Sequence, residues 1–198
     1  MNELIEKRIQ ESIAVKSNLL NNPEYIRNVD FLSDMLCNAF HAGNKMIICG
    51  NGGSASDALH FAGEIIGRFQ EERTPWPAIV LNSDVSSMTA ISNDYGYDEV
   101  FARQAKAHAK KGDVFIGIST SGNSENVYRA INTAKNNGAQ TVALLGADGG
   151  KVKDSVDLAI KIPSVITARI QECHILTIHI LCELIENKMK KNDTRFQI

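Results

Sequence analysis

The sequence has no long hydrophobic run and no excess of charge of either sign. Its 198 residues carry 21 basic and 23 acidic side chains, a formal net charge of -2, so no overall field favours nucleic acid or an anionic membrane surface. No segment approaches the roughly 18 consecutive apolar residues of a membrane-spanning helix. The first residues mix both charge signs where a signal peptide has a basic stub and an apolar run. We therefore expect a cytoplasmic protein that binds neither nucleic acid nor membrane.

Cysteine is scarce, and none of the four cysteines forms a Cys-x-x-Cys pair. Each lies inside an apolar, periodic segment, which is typical of buried free thiols in a reducing compartment rather than of a disulfide framework or a Cys-based metal site. The four are Cys37, Cys49, Cys173 and Cys182.

Signatures of nucleotide binding are missing as well. No Gly-x-x-x-x-Gly-Lys-Ser/Thr loop occurs, and although Gly50-x-Gly52-x-x-Ala55 fits the outline of a dinucleotide fingerprint, that fingerprint also needs an acidic residue at the end of the next strand. No acidic residue lies at the end of that strand, near Leu81, and the nearest one beyond it is Asp84. We therefore expect no nucleotide cofactor.

Five short apolar runs alternate with helical stretches, at 46–49, 77–81, 114–118, 141–145 and 158–162. Continuous rather than alternating hydrophobicity is typical of strands buried on both faces, and intervening helices indicate right-handed crossovers in a parallel sheet. The pattern predicts an α/β three-layer sandwich with a five-stranded parallel sheet, in which ligands bind beyond the carboxyl ends of the strands.

Two amphipathic helices are predicted before the first strand, and a long one from about 166 to 190. The first helix has one apolar stripe, which needs something to cover. Its own domain and a neighbouring subunit are both reasonable partners, so residues 1–43 are a candidate for oligomerisation. The stripe consists of Leu4, Ile5, Ile9, Ile13 and Leu20.

A serine-rich turn, Ser-Thr-Ser-Gly-Asn-Ser at 119–124, joins the third predicted strand directly to a helix. Its hydroxyls, its glycine and the free N–H groups of the helix start all face one place, where the helix dipole favours an anion. One capping serine would satisfy one N–H group, but this turn has four hydroxyls in six residues. We interpret it as a phosphate site rather than a capping turn.

Two pairs of polar residues are spaced to share a helix face. His60 and Glu64 are four residues apart, just downstream of the glycine turn. Gln171 and His179 are eight apart on the last helix, about 80° around its axis, and Glu172 fits the angular spacing equally well. Spacing alone therefore leaves a general base, a metal site and ordinary surface residues all open.

Five motifs in order resemble the sedoheptulose 7-phosphate isomerase (phosphoheptose isomerase) family, which has the sugar isomerase (SIS) fold. They are Cys-Gly-Asn-Gly-Gly-Ser at 49–54, His-Phe-Ala-Gly-Glu at 60–64, Asn-Asp-Tyr-Gly at 93–96, Gly-Ile-Ser-Thr-Ser-Gly-Asn-Ser at 117–124 and Arg-Ile-Gln-Glu at 169–172. The resemblance spans nearly the whole chain and implies one flavodoxin-like SIS domain over 1–198. The chain has Ala168 where some members have Asp, and Ala55-Ser56 where some have a His-containing pair.

The resemblance also implies a reaction and a site. The reaction is the isomerisation of sedoheptulose 7-phosphate to D-glycero-D-manno-heptose 7-phosphate through an enediol or enediolate, in a homotetramer with active sites at subunit interfaces. Glu64 and His179 match the proposed acid/base pair. One Zn²⁺ per subunit would be bound by His60, Glu64, Gln171 and His179. The residues expected to contact the substrate are Asn51, Gly52, Gly53, Ser54, Glu64, Asn93, Asp94, Ser119, Thr120, Ser121, Ser124 and Gln171.

The main alternative is a protein without catalytic activity, a SIS tetramer of the DnaA initiator-associating type that binds a protein partner. The residues that match the acid/base pair, Glu64 and His179, are both present in this sequence. Their presence favours the isomerase.

Overall fold

The structure, a computed structural model, describes residues 2–192. Within this range the helices are α1 (Glu3–Leu20), α2 (Pro23–His41), α3 (Gly53–Ile66), α4 (Val85–Tyr95), α5 (Val100–His108), α6 (Glu125–Asn136) and α7 (Thr167–Asn192). The strands are β1 (Met46–Gly50), β2 (Ala78–Val80), β3 (Val114–Ser119), β4 (Gln140–Gly146) and β5 (Leu158–Ile162). A short 3-10 turn, Tyr97–Glu99, separates α4 from α5.

All five strands are parallel, and their order in the sheet is β2-β1-β3-β4-β5. This is the flavodoxin-like order, in which the direction of winding changes between β1 and β3. The predicted five-stranded parallel sheet is confirmed. Only β2 is clearly shorter than its predicted run of 77–81, because Pro77 has no N–H group to donate and the Asn82 side chain bonds to the backbone of Gly50.

Helices cover both faces of the sheet, which gives the predicted three layers. One core lies between the sheet and α2, α3 and α7, and the other lies between the sheet and α5 and α6. In β1, Met46 and Ile48 face the first core, whereas Ile47 and Cys49 face the second. Alternate residues of a strand point to opposite faces, so a strand buried on both sides must be apolar throughout.

The two N-terminal helices differ in how they pack. In α2, which begins after the capping residue Asn22, the apolar side is buried against α7 and β5. In α1 the apolar stripe stays in solvent, with the side chains of its first three turns 55 to 58% exposed. These exposed side chains are Leu4, Ile5, Ile9 and Ile13.

The four cysteines are buried and free, as predicted. Burial raises the pKa of the Cys37 thiol to about 11 and that of the Cys182 thiol to about 12. These groups are protonated at neutral pH and behave as small apolar side chains. Between residues 2 and 192, no helix is long and apolar enough to cross a membrane.

Candidate active site

The candidate site lies at the carboxyl ends of β1 and β3. These two strands are hydrogen-bonded neighbours, with Gly50 opposite Ile118, so the glycine turn after β1 and the serine turn after β3 emerge side by side. The order of the strands reverses at this point, and the crevice between the two turns is where such sheets bind ligands.

The serine turn is closed by hydrogen bonds among its own hydroxyls. The hydroxyl groups of Ser119 and Ser124 are 2.9 Å apart, and the backbone N–H of Gly122 donates to Ser119 Oγ at 3.1 Å. Ser121 Oγ accepts from the N–H of Asn123 at 3.1 Å. Thr120, between them, is half-buried.

Ser124 precedes α6, but its side chain does not cap that helix. Its hydroxyl bonds to Ser119 instead, so the positive end of the α6 dipole has no capping hydroxyl. An anion at this point would meet helix N–H groups that lack a partner in the helix. This geometry favours the phosphate interpretation over the capping interpretation.

Gly122 locks the turn against the loop after β4. Its φ is +65°, a left-handed conformation that favours glycine. A methyl group added there would overlap the carbonyl of Gly149 and lie 2.8 Å from the nitrogen of Gly150. The carbonyl of Gly122 accepts a hydrogen bond from the Val152 N–H at 3.0 Å. Neither the turn nor the loop has room for a side chain at this contact.

The glycine turn after β1 leads into α3 through Gly52, whose φ is +56°. Gly53 is the first residue of α3, and a methyl group there would lie 2.8 Å from Cδ of Gln171. The absence of a side chain at Gly53 therefore gives the Gln171 side chain its place beside the N-terminus of α3. Ser54 is buried directly beneath the turn.

The Asn51 side chain joins the two turns. Its amide forms a reciprocal pair of hydrogen bonds with the amide of Asn126 in the first turn of α6, at 2.8 and 3.0 Å. The hydroxyl of Tyr97 donates to Asn51 Oδ1 at 2.9 Å. The turn after β1, the start of α6 and the 3-10 turn are thus linked through one side chain.

Three of the four residues predicted to bind zinc meet where α3 packs on α7. Nε2 of His60 lies 3.2 Å from Oε1 of Glu64 and 3.1 Å from Nε2 of His179. The ring of Phe69 stacks on the His179 ring, with the centroids 5.8 Å apart. The group is partly open to solvent, since 42% of the His60 side chain and 26% of the Glu64 side chain are exposed.

Glu186 on α7 holds this part of the structure together. Its carboxylate accepts hydrogen bonds from the backbone N–H groups of Phe69, Gln70 and Glu71, each at 3.0 Å, and from Nε of Arg73 at 3.1 Å. Burial alone would raise the pKa of Glu186, but these four donors outweigh burial and hold the pKa below its usual value. A charged Glu186 therefore stabilises the loop that presents Phe69 to His179.

Arg73, which is bonded to Glu186, also binds the last turn of α3. Its guanidinium donates to the backbone carbonyls of Glu64 and Ile65 at 2.7 and 2.9 Å, where the last carbonyls of a helix need partners. It also stacks on Trp76, 3.6 Å from the ring centroid. The helix turn that carries Glu64 is thereby tied to α7.

Gln171 lies apart from the two histidines within one chain. Eight residues of α-helix separate Gln171 from His179 by about 12 Å along the axis, and the Gln171 side chain contacts Gly53 at the other end of α3. The prediction that these two side chains converge used only their angle around the helix axis and left out this distance along it. The neighbouring Glu172 pairs with Arg169.

The donors at this site have the right chemistry for zinc. Imidazole nitrogen and carboxylate oxygen are common Zn²⁺ ligands, and tetrahedral zinc with bonds of about 2.0–2.1 Å separates neighbouring donors by roughly 3.3 Å, close to the two separations around His60 Nε2. Over residues 2–192, however, no group of three or more His, Cys, Asp or Glu side chains is arranged as a site that could hold a metal ion. The four-ligand set stays a prediction.

Asn93 and Asp94 lie near the end of α4 and are exposed. The side-chain amide of Asn93 donates to Asp94 Oδ1 at 2.8 Å, and no hydrogen bond joins the side chain of either residue to another candidate within the part of the chain that the structure describes. Their role in binding substrate stays a prediction.

Several residues at the site carried no signal in the sequence. Tyr97 and Asn126 bond to Asn51, and Arg73 and Glu186 anchor the elements that carry Glu64 and His179. No motif or periodic spacing marks them. Asn126 lies two residues after the serine turn, outside the motif itself. Their partners are distant in sequence, so only the folded chain identifies them.

Comparison with known proteins gives a consistent picture. The family model described as "SIS domain" matches residues 14–146. The phosphoheptose isomerase of Aneurinibacillus thermoaerophilus is 45% identical over 192 residues, which cover 97% of each chain. The phosphoheptose isomerase of Geobacter sp. (strain M21) is 54% identical over 155 residues, 78% of this chain and 81% of that protein.

Among solved structures, phosphoheptose isomerase from Neisseria gonorrhoeae superposes with a TM-score of 0.88 at 39% sequence identity. The match covers 93% of this chain and 98% of that one. Most of the described architecture is therefore shared.

The contact at Gly122 gives a prediction about stability. We expect Gly122→Ala to lower the free energy of unfolding by about 2–4 kcal/mol, because the methyl group overlaps backbone and the left-handed conformation strains any other residue. The measurement is urea denaturation. The control is Gly63→Ala on the exposed side of α3, where nothing lies within 4 Å and alanine favours the helix by up to ~1 kcal/mol. Equal unfolding midpoints for the two variants would contradict the role given to Gly122.

Proposed function

The chain belongs to the phosphoheptose isomerases of the SIS domain family, and we propose the following reaction and the residues that carry it out. It is an isomerase that acts on a sugar phosphate, and it converts sedoheptulose 7-phosphate to D-glycero-D-manno-heptose 7-phosphate, the first step toward nucleotide-activated heptose. The observation that carries this conclusion is 45% identity over 97% of both chains. A non-catalytic tetramer of the DnaA initiator-associating type is not favoured.

The reaction moves a carbonyl from C2 to C1 and needs two proton-transfer groups. One must take a proton from C1 of the ketose and return it to C2, and the other must shuttle protons between the two oxygens as the enediol or enediolate forms and collapses. We assign Glu64 as the base at carbon and His179 as its partner. Their common contact with His60 Nε2 supports placing both at one reacting centre.

We propose that the serine turn holds the phosphate of the substrate. Ser119, Thr120, Ser121 and Ser124 supply hydroxyl groups. The N-terminus of α6, which the Ser124 hydroxyl does not cap, supplies N–H groups and a favourable dipole. A phosphate fixed at this end leaves the other end of the sugar free to reach Glu64 and His179. The turn after β1, with Asn51, Gly52, Gly53 and Ser54, lies between and would contact the sugar hydroxyls.

We propose that His60, Glu64 and His179, with Gln171, bind Zn²⁺. A bound zinc ion would polarise the carbonyl and stabilise the negative charge of the enediolate. Because Gln171 contacts Gly53 instead of the histidines, a complete ligand set fits better with donors from two copies of the chain. This supports the expectation of active sites at subunit interfaces.

We propose that the chain forms a homotetramer through its N-terminal helices. Residues 1–43 would then be the oligomerisation element of a single SIS domain spanning 1–198. The exposed apolar stripe of α1 supports this proposal, because a row of large apolar side chains in water is unfavourable and typically marks an interface. A cytoplasmic location suits the four free thiols.

Glu64→Gln tests the assignment of the base. We expect turnover to fall by on the order of 10²- to 10⁴-fold, because glutamine keeps the size of the side chain but cannot accept the proton. The measurement is the appearance of aldose signals in the NMR spectrum of sedoheptulose 7-phosphate with purified protein, and ligand-observed NMR should still detect binding. Glu24→Gln, an exposed carboxylate at the start of α2, is the control. Retained activity in Glu64→Gln would reject the base assignment, and no aldose signal from the unmodified protein would reject the reaction.

Removal of metal tests the zinc proposal. We expect a chelator-treated sample to lose activity and to regain it with Zn²⁺, and we expect His60→Ala to lose bound zinc as measured by elemental mass spectrometry. His41→Ala, an exposed histidine at the end of α2, should keep the zinc content of the unmodified protein. A metal-free sample with full activity would show that the reaction does not need the ion.

Light scattering after size-exclusion chromatography tests the tetramer. We expect the mass of four chains for the unmodified protein and a smaller assembly for the double variant Ile9→Glu, Ile13→Glu, because charges in the α1 stripe oppose its burial. Lys7→Glu, on the polar side of the same helix, should leave the mass unchanged. A double variant that still elutes with the mass of four chains would place the interface elsewhere.

A further inference from the structure

Three separate segments contribute one side chain each to a small polar cluster between the two turns. Asn51 Nδ2 donates to Asn126 Oδ1 at 2.8 Å, and Asn126 Nδ2 donates back to Asn51 Oδ1 at 3.0 Å. The hydroxyl of Tyr97 donates to the same Asn51 Oδ1 at 2.9 Å. Asn126 is only 3% exposed, whereas Asn51 is half-buried.

The backbone sets the direction of every hydrogen bond in this cluster. The N–H of Val127 is a donor under all conditions, and it donates to Asn126 Oδ1 at 2.9 Å. The Asn126 atom that meets the Val127 N–H must therefore be the amide oxygen. The other atom of that amide, which meets Asn51, must then be the amino nitrogen. Because that amino group is a donor, the atom of Asn51 that meets it must be the oxygen. Tyr97, which meets the same oxygen, must then donate.

A count of donors and acceptors shows what remains for a ligand. An amide oxygen has two lone pairs and an amide nitrogen has two hydrogens. Both lone pairs of Asn51 Oδ1 are used, by Asn126 and Tyr97, and one of its two N–H groups is used by Asn126. Asn51 retains a single N–H group and no acceptor.

We infer that Asn126 and Tyr97 are positioning residues that make Asn51 a one-sided hydrogen-bond donor toward an oxygen of the sugar. This inference rests on the proposed role of Asn51 as a substrate contact. A fixed donor is suited to an oxygen that gains negative charge as the enediolate forms, since a preoriented N–H group does not have to reorganise at that moment. An Asn51 side chain free to rotate would also present its oxygen to the same atom and repel it.

The 3-10 turn that carries Tyr97 is itself tied to α6. Arg129, one turn after Asn126, donates to Glu99 at 2.6 Å and to Glu125 at 2.7 Å. Gly96, with a φ of +88°, allows the chain to reverse after α4 and bring Tyr97 over the glycine turn. The two residues that orient Asn51 are thus held by the helix that begins at the phosphate turn.

A double-mutant cycle on kcat/KM tests the inference. In the unmodified background we expect Tyr97→Phe to lower kcat/KM by about 3- to 10-fold, because it removes one hydrogen bond to Asn51. We expect Asn126→Ala to lower it by about 10- to 100-fold. In an Asn51→Ala background, both changes should lower kcat/KM by less than about 2-fold, because residues that act through Asn51 have nothing left to orient.

The cycle separates positioning from a general structural role. A change that merely loosens α6 or the 3-10 turn would cost the same in both backgrounds, and such additivity would overturn the inference while leaving the isomerase function intact. Asn132→Ala is the matched control and should have no effect in either background. Asn132 is a half-buried asparagine on α6 whose side chain, within residues 2–192, bonds only to the Tyr128 carbonyl. Asn51→Ala with unmodified kcat/KM would also overturn the inference, since Asn51 would then not contact the substrate.

Asn51→Asp tests the donor directly. The carboxylate can still accept from Asn126 and Tyr97, but its second oxygen replaces the whole amino group. That oxygen has no hydrogen to donate to Asn126 Oδ1, and it repels a negatively charged sugar oxygen. We expect kcat/KM to fall at least as far as in Asn51→Ala. Activity near that of the unmodified protein would show that Asn51 does not act as a donor.

Discussion

The position of β1 next to β3 is the constraint on which the rest of the site depends. These strands are separated by more than 60 residues, yet their pairing places the glycine turn and the serine turn at the same edge of the sheet. The amide pair between Asn51 and Asn126 spans 75 positions of sequence and exists only because of that pairing. With another strand order, a phosphate at the serine turn would hold the sugar away from the glycine turn.

A second constraint, the packing of α3 on α7, brings His60, Glu64 and His179 together. Glu186 lies seven residues after His179, two turns along the same helix face, and its carboxylate fixes both Arg73 and the loop that follows α3. Because the pKa of Glu186 is lowered, the stability it supplies is present above its ordinary pKa and is lost as the pH falls through the lowered value. The contact is thus intact at neutral pH.

Local patterns predicted the parts of the molecule that depend on local physics. Uninterrupted apolar runs marked the strands of a sheet buried on both faces. Hydroxyl density at a helix start marked the serine turn, whose role in holding phosphate is a proposal. The same reasoning misjudged how Gln171 relates to His179, because a helical wheel describes the angle around the axis but not the 12 Å or so of rise along it. Tyr97, Asn126, Arg73 and Glu186 had no signal at all, since each acts on a partner that is remote in sequence.

The sequence by itself determined the fold class, the family and the identity of the chemical groups, because hydrophobic periodicity and ordered motifs are written along the chain. Only the tertiary structure decided which groups meet and which way their hydrogen bonds run. His60, Glu64 and His179 gather at one place, Gln171 lies at the other end of α3, and the amide of Asn51 has a fixed direction. These facts depend on the packing of distant segments, which no local pattern of side chains specifies.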